Sequence, residues 1–288
     1  MKIKLMFDLP PKSVNTKPIT TISSEKSSKD VLRDLWNFKD LLFLLTWRDL
    51  LVRYKQTFFG VAWAIFRPLI TVMVFAFIFG KVAKLPSGNT PYFLFVFAGM
   101  IPWQFFSSSL SEAGNSLVAN ANIITKIYFP RLLMPLSSIA ACLVDALITG
   151  IIFCVLLVWY QVEFTWHILI LPAFIIWLVL LTIGLSIWTA ALNVTYRDFR
   201  YLIPFMVQLG MYISPVGFSS QIIPDKWLWL FYINPMASII DGFRWCIFNQ
   251  SSNFNVSMSI TGIVITLLMF VYGLIFFKNA EDSFADRI

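Results

Sequence analysis

Six apolar stretches follow one another along the chain, at about 60–80, 92–111, 132–159, 168–192, 202–219 and 258–277. A helix needs about 20 predominantly apolar residues to cross a hydrocarbon core about 30 Å thick. The pattern therefore predicts an all-α integral membrane protein with six transmembrane helices. The fifth stretch is the shortest and carries Pro204 and Pro215 near its ends. Backbone groups freed by proline must be satisfied by neighbouring helices or water, so a bent or broken span is expected there.

Two further segments carry a different pattern. Within 31–57, Arg33, Asp34, Asn37 and Asp40 gather on one helical face, opposite Leu32, Leu35, Trp36 and Phe38. Residues 41–45 are apolar all round, and charges return at Arg48, Asp49, Arg53 and Lys55. This predicts an N-terminal amphipathic interface helix, with a candidate bend near Thr46. It reads equally as an anchor beside the first span or as a docking surface for a cytoplasmic partner. Between spans five and six, one apolar run holds Trp227 and Trp229, and another runs from Met236 to Phe248, interrupted by Asp241 and Arg244. The Asn234–Pro235 pair between them marks a turn. Neither run is long enough to span, so an outer re-entrant helical hairpin is expected. Residues 1–30 read as a flexible cytoplasmic tail and 281–288 as a cytoplasmic C-terminal tail, around a membrane domain at 58–280.

Composition agrees with the pattern. Hydrophobic residues make up 58% of the 288 and charged residues 13%, with a mean hydropathy of +0.76; soluble domains carry about 25% charge. Placing the N-terminus inside leaves only Lys81, Lys84, Lys226 and Arg244, of 22 Lys and Arg, on the outer side. That asymmetry predicts a multi-pass inner-membrane protein with both termini cytoplasmic. The net charge of +7 then faces anionic headgroups, and nucleic acid is not an expected partner. Residues 1–12 lack the apolar core of a signal peptide, so an uncleaved, unexported N-terminus is expected.

Candidate chemistry is sparse. The phosphate-loop pattern G-x-x-x-x-G-K-[ST] does not occur, so ATP hydrolysis by that route is excluded. Cys142, Cys154 and Cys246 show neither metal nor redox spacing, and His167 is the lone histidine. No catalytic or metal site is expected. Within the spans, Arg67 and Asp145 stand out, because an intramembrane charge is by default a functional feature. Arg67 lies near the inner end of its span, within reach of headgroups. Asp145 lies near mid-span and needs a polar partner or a wet path. Trp177 and Tyr212 also fall near mid-span, away from the interfacial aromatic belts. Such rings either pack the bundle or offer flat faces on which sugars stack.

The ordered motifs WRDLLVRYKQTFFGVAWAIFRPL (47–69), AGMIPWQFF (98–106), SLVANANIITKIYFPRLLMP (116–135), ALNVTYRDFRYLIPF (191–205), SPVGF (214–218) and INPMASIIDGFRW (233–245) resemble the ABC-2 type permeases. The likeness is to the subfamily exporting lipopolysaccharide O-antigen, capsular polysaccharide or teichoic acid. It implies a homodimer with two separate ATPase subunits, in which ATP and Mg act, while this chain holds no cofactor. The implied cargo is a polyprenyl-diphosphate-linked glycan, with membrane lipids around the bundle. The loop from Glu112 to Arg131 would carry a coupling helix, with Asn115, Asn120, Asn122 and Lys126 facing the ATPase and Arg197, Asp198 and Arg200 giving a second contact. The hairpin residues Trp227, Trp229, Asn234, Pro235, Asp241 and Arg244 would form an outer gate. Trp177 and Tyr212 would line the glycan path, with Trp103 guarding its outer end. In one departure, family members often carry an uncharged polar residue where Arg67 stands. Alternatives are an ABC-2 permease for a drug or another lipid, and a membrane enzyme acting on polyprenyl-linked sugars.

Overall fold

The structure is a computed structural model that describes residues 36–55, 62–88, 90–127, 129–249, 254–281 and 284. The predicted N-terminal tail, the start of the interface helix and most of the C-terminal tail lie outside these residues. Among those described, every regular element is a helix.

The interface helix is α1, Lys39–Tyr54. It is unbroken at the expected bend, where the Thr46 hydroxyl donates to the Leu42 carbonyl at 2.8 Å. The first apolar stretch forms α2, Ala62–Phe75, continued by a π-helical run over Ala76–Val82. The second forms α3, Tyr92–Ala119, which overruns the predicted 92–111 and takes in Glu112 and Asn115. Its polar residues do not end it because they bond within it: Ser111 Oγ donates to Ser107 O and Asn115 Nδ2 to Ser111 O, each at 2.9 Å. The expected coupling helix is then one turn, α4, Ala121–Ile124.

The third stretch is α5, Leu133–Trp159. The fourth is α6, Leu171–Thr195, preceded by a 3-10 turn at Trp166–Ile170. The sixth is α10, Val256–Glu281. Helices α6 and α10 pack closely because glycines meet. A Cβ added to Gly184 would stand 2.6 Å from the Phe270 Cα, and Gly273 faces the Gly184 carbonyl. Small residues at such a crossing let two backbones approach without a side chain between them.

The fifth stretch departs from expectation. Its helix, α7, is Phe199–Ile213, 15 residues long, or about 22 Å at 1.5 Å per residue. It stops short of the predicted 202–219 because Ser214 is extended (ψ 148), the conformation that a following proline, Pro215, imposes. Among the described residues, five helices are long and apolar enough to cross a membrane: Ile65–Val82, Tyr92–Ala119, Leu133–Trp159, Trp166–Thr195 and Val256–Glu281. Helix α7 is not one of them.

The two runs between α7 and α10 form short helices, α8 (Asp225–Phe231) and α9 (Pro235–Phe248). Asn234 caps α9 by accepting from the Met236 amide at 3.1 Å, and Pro235 takes a first-turn position where its missing N–H is not needed. The other end of the Asn234 amide donates to Ser214 Oγ at 2.9 Å, so α9 starts against the end of α7. Helix α9 is buried among α3, α6 and α10.

One end of the bundle collects several chain segments. Leu45 of α1, Ile124 of α4, Phe129, Leu133, Val194, Phe277 and Phe284 share one apolar cluster. Arg131 donates to the Glu281 carbonyl there. The loops after α3 and α6 leave from this end, where Asn193 Nδ2 donates to Gly114 O at 2.8 Å.

Candidate functional site

A cavity of about 570 Å³ opens between α1, α2, α3 and α5. Helical periodicity aims its polar side chains. Gln104, Ser108 and Glu112 recur every fourth residue of α3 and share one face, as do Asp145 and Thr149 on α5 and Arg67 and Thr71 on α2. From α1 come Arg53 and Tyr54. Helix α1 reaches them by running along α5: Ser137 Oγ donates to Asp49 at 3.3 Å, and further along both helices Arg53 meets Asp145.

Arg53 is the centre of the polar wall. Its two terminal nitrogens separate, one donating to Asp145 and the other to Glu112, and the Tyr54 hydroxyl donates to the second Asp145 oxygen. Three helices are joined through one guanidinium. Burial acts to lower the Arg53 pKa, but the surrounding groups, Glu112 foremost among the charges, outweigh it and hold that pKa above its ordinary value. Burial, then the hydrogen bond and charge of Asp145, push the Tyr54 hydroxyl up. The partner that Asp145 requires is thus a cation and a phenol from α1. Arg67, exposed at the cavity, makes no ion pair among the described residues.

A second charged node lies in the interior. Arg244 has 0% exposure. It donates to three backbone carbonyls, Phe95 at 3.2 Å, Phe218 at 3.1 Å and Val216 at 2.8 Å. Its guanidinium stacks 3.6 Å from the centre of the Phe95 ring. Asp241, one turn earlier, stands 3.9 Å away and accepts from the Tyr232 hydroxyl at 2.9 Å. Burial pushes the Asp241 carboxyl up to about 6, against the pull of Arg244.

Asn122 of α4, Lys126, Arg197 and Asp198 of the two connecting loops, and Arg200 of the first turn of α7 are exposed at one end of the bundle. Asn120 donates back to Ser116 O at 2.8 Å, and Asn115 accepts from Asn193 at 3.1 Å, so both side chains are engaged within the bundle. Trp227 and Trp229 are exposed, Asn234 and Pro235 form the α8–α9 joint, and Asp241 and Arg244 are enclosed. Trp103 is buried beside Phe106 and Gly210. Trp177 is buried with its indole donating to Thr266 at 2.7 Å, whereas Tyr212 is 60% exposed. Arg53, Glu112 and Gln104 were not singled out from sequence as a site. The four-residue recurrence on α3 was a signal for one wall, but no local spacing links it to α1 or α5.

The sequence profile of the ABC-2 type transporter family matches residues 40–248, from the start of α1 to the end of α9. The chain belongs to the ABC-2 type transporter family. With its five long apolar helices, this ABC-2 chain is a multi-pass membrane protein. It is similar to an O-antigen export system permease protein, RfbA, of Klebsiella pneumoniae, 34% identical over 253 residues, which is 86% of this chain and 94% of that protein. RfbA of Myxococcus xanthus, also named an O-antigen export system permease protein, is 25% identical over 261 residues, 90% of this chain and 99% of the relative. The polysialic acid transport protein KpsM of Escherichia coli is 23% identical over 250 residues, 85% of this chain and 93% of KpsM.

Proposed function

We propose that this chain is the permease subunit of an ABC exporter that moves a polyprenyl-diphosphate-linked surface polysaccharide across the inner membrane, driven by a separate ATPase. The observation that carries this is the likeness to RfbA of Klebsiella pneumoniae, 34% identical and covering 94% of that permease. The missing phosphate loop supports placing ATP and Mg in the partner.

The working unit in this reading is two copies of the chain with two ATPase subunits. Helix α7 crosses as a sixth, incomplete span, and the α8–α9 pair re-enters from the outer side to meet it. The contact between Asn234 and Ser214 supports that arrangement. Both termini lie in the cytoplasm, on the side of the exposed loops around Lys126 and Arg200. Those loops, with Asn122, Arg197 and Asp198, form the coupling surface, while Asn115 and Asn120 hold it in place. The α8–α9 pair acts as the outer gate. Of the aromatic rings assigned to the glycan path, Tyr212 meets the sugars directly, and Trp103 and Trp177 shape its wall from within.

Affinity purification of the tagged chain from native membranes tests the reading. An ATPase subunit bearing its own phosphate loop should co-elute in equal amount. Recovery of the chain without any ATPase, in a detergent that preserves other ABC complexes, would overturn it.

A further inference from the structure

Arg67 sits roughly 8 Å from the start of α2, at 1.5 Å per residue. It is exposed, lines the cavity and has no ion pair among the described residues. A guanidinium at that depth of a membrane span demands an anion or water, because leaving its five donors unmet in hydrocarbon is costly. Phosphate is the anion a lipid leaflet supplies, and the planar fork of arginine binds it in two-point fashion.

The α3 and α5 side of the cavity asks for a different group. Glu112 and Asp145 are held by Arg53, yet each carboxylate oxygen accepts more than one hydrogen bond. Gln104 adds another acceptor there, while Trp63, one turn before Arg67 on α2, places an exposed indole on the Arg67 side of the cavity. Carboxylates suit hydroxyl groups, and a flat indole across the cavity suits the apolar faces of the ring that carries them. A bare diphosphate pushed against this wall would instead meet two carboxylates that share the single guanidinium of Arg53, a wall left net negative. The cavity volume, about 570 Å³, falls within the ~300–1,000 Å³ of small-molecule sites.

We infer that the cavity binds a hydroxyl-rich head joined through phosphate to an apolar chain, with Arg67 on the phosphate and Glu112 and Asp145 receiving hydroxyls. Two molecules carry that chemistry, a polyprenyl-diphosphate sugar and a phospholipid with a polyol head. The export reading favours the first; the site itself does not depend on that reading.

The test is binding to the full chain in lipid nanodiscs made of phosphatidylcholine. The probes are farnesyl diphosphate, its glucosyl ester and short-chain phosphatidylglycerol. The glucosyl ester should bind, and bare farnesyl diphosphate should bind about tenfold more weakly for want of hydroxyl contacts. Arg67→Gln should weaken the ester by about tenfold or more, and Arg67→Lys should recover part of the loss. Arg67 is exposed, so these variants are expected to fold, which the melting temperature checks. Arg67-dependent binding of phosphatidylglycerol alone would support the site while removing the glycan carrier as its occupant. Equal binding of every probe to wild type and Arg67→Gln, or no binding at all, would overturn the inference.

Discussion

An arginine shut away from water needs an acceptor for nearly every donor it carries, and Arg244 has the carbonyls of Phe95, Val216 and Phe218, with the Asp241 carboxylate 3.9 Å away as its counter-charge. Removing one partner of a buried charged pair is expensive, about 3–5 kcal/mol, because the other is left unpaired. Arg244→Met should therefore lower the melting temperature in detergent sharply, whereas Arg67→Met at an exposed position should shift it little. A wild-type melting temperature for Arg244→Met would contradict the interior placement. The Arg53 fork makes a subtler prediction. Arg53→Ala leaves Glu112 and Asp145 facing each other without a cation, so Asp145→Asn should cost less in that background than alone. Residues in one ion network couple by about 0.5–3 kcal/mol, and additive losses in the double variant would show that the fork is not a working contact.

Among the elements, the apolar pattern located the long helices well where a connector had proline, glycine or charge to end them. Predicted 132–159 is observed as Leu133–Trp159. It failed where polar residues do not terminate a helix, as along Ser111, Asn115 and Ser116 of α3, whose side chains return to their own backbone. It also failed at α7, where hydrophobicity runs past Ser214 but Pro215 does not allow the helix to follow. Two element-scale predictions follow from packing and exposure. Gly184→Val would drive a branched side chain into the Phe270 backbone, and overpacking of this kind costs about 1–3 kcal/mol. Its yield and melting temperature should fall together. Lys126→Glu with Asn122→Ala alters two exposed side chains and should weaken ATPase co-elution without changing membrane insertion, since charge reversal at a docking surface adds repulsion. An undiminished complex would place the coupling surface elsewhere.

For the whole molecule, family and membrane class were legible from motifs and composition, because a bilayer constrains length and polarity over every span. The charged cavity was only partly so. Asp145 announced itself as a charge among apolar neighbours, but Arg53 and Glu112 lie near polar segments and carry no such contrast. Their meeting depends on α1 running beside α5, a tertiary fact with no sequence period. Orientation is checkable by cysteine labelling of intact cells, in a chain whose own three cysteines are replaced by serine. A probe at Lys226 should be accessible and one at Ser283 protected; labelling at Ser283 would reverse the side assigned to the C-terminal tail. Export of a lipid-linked polysaccharide is tested by deleting the chain from its host and measuring the glycan on each side of the inner membrane. Surface polysaccharide should be lost while polyprenyl-linked polymer accumulates inside, both reversed by restoring the chain. Unchanged surface polysaccharide, or its loss with no precursor retained inside, would contradict export by this chain.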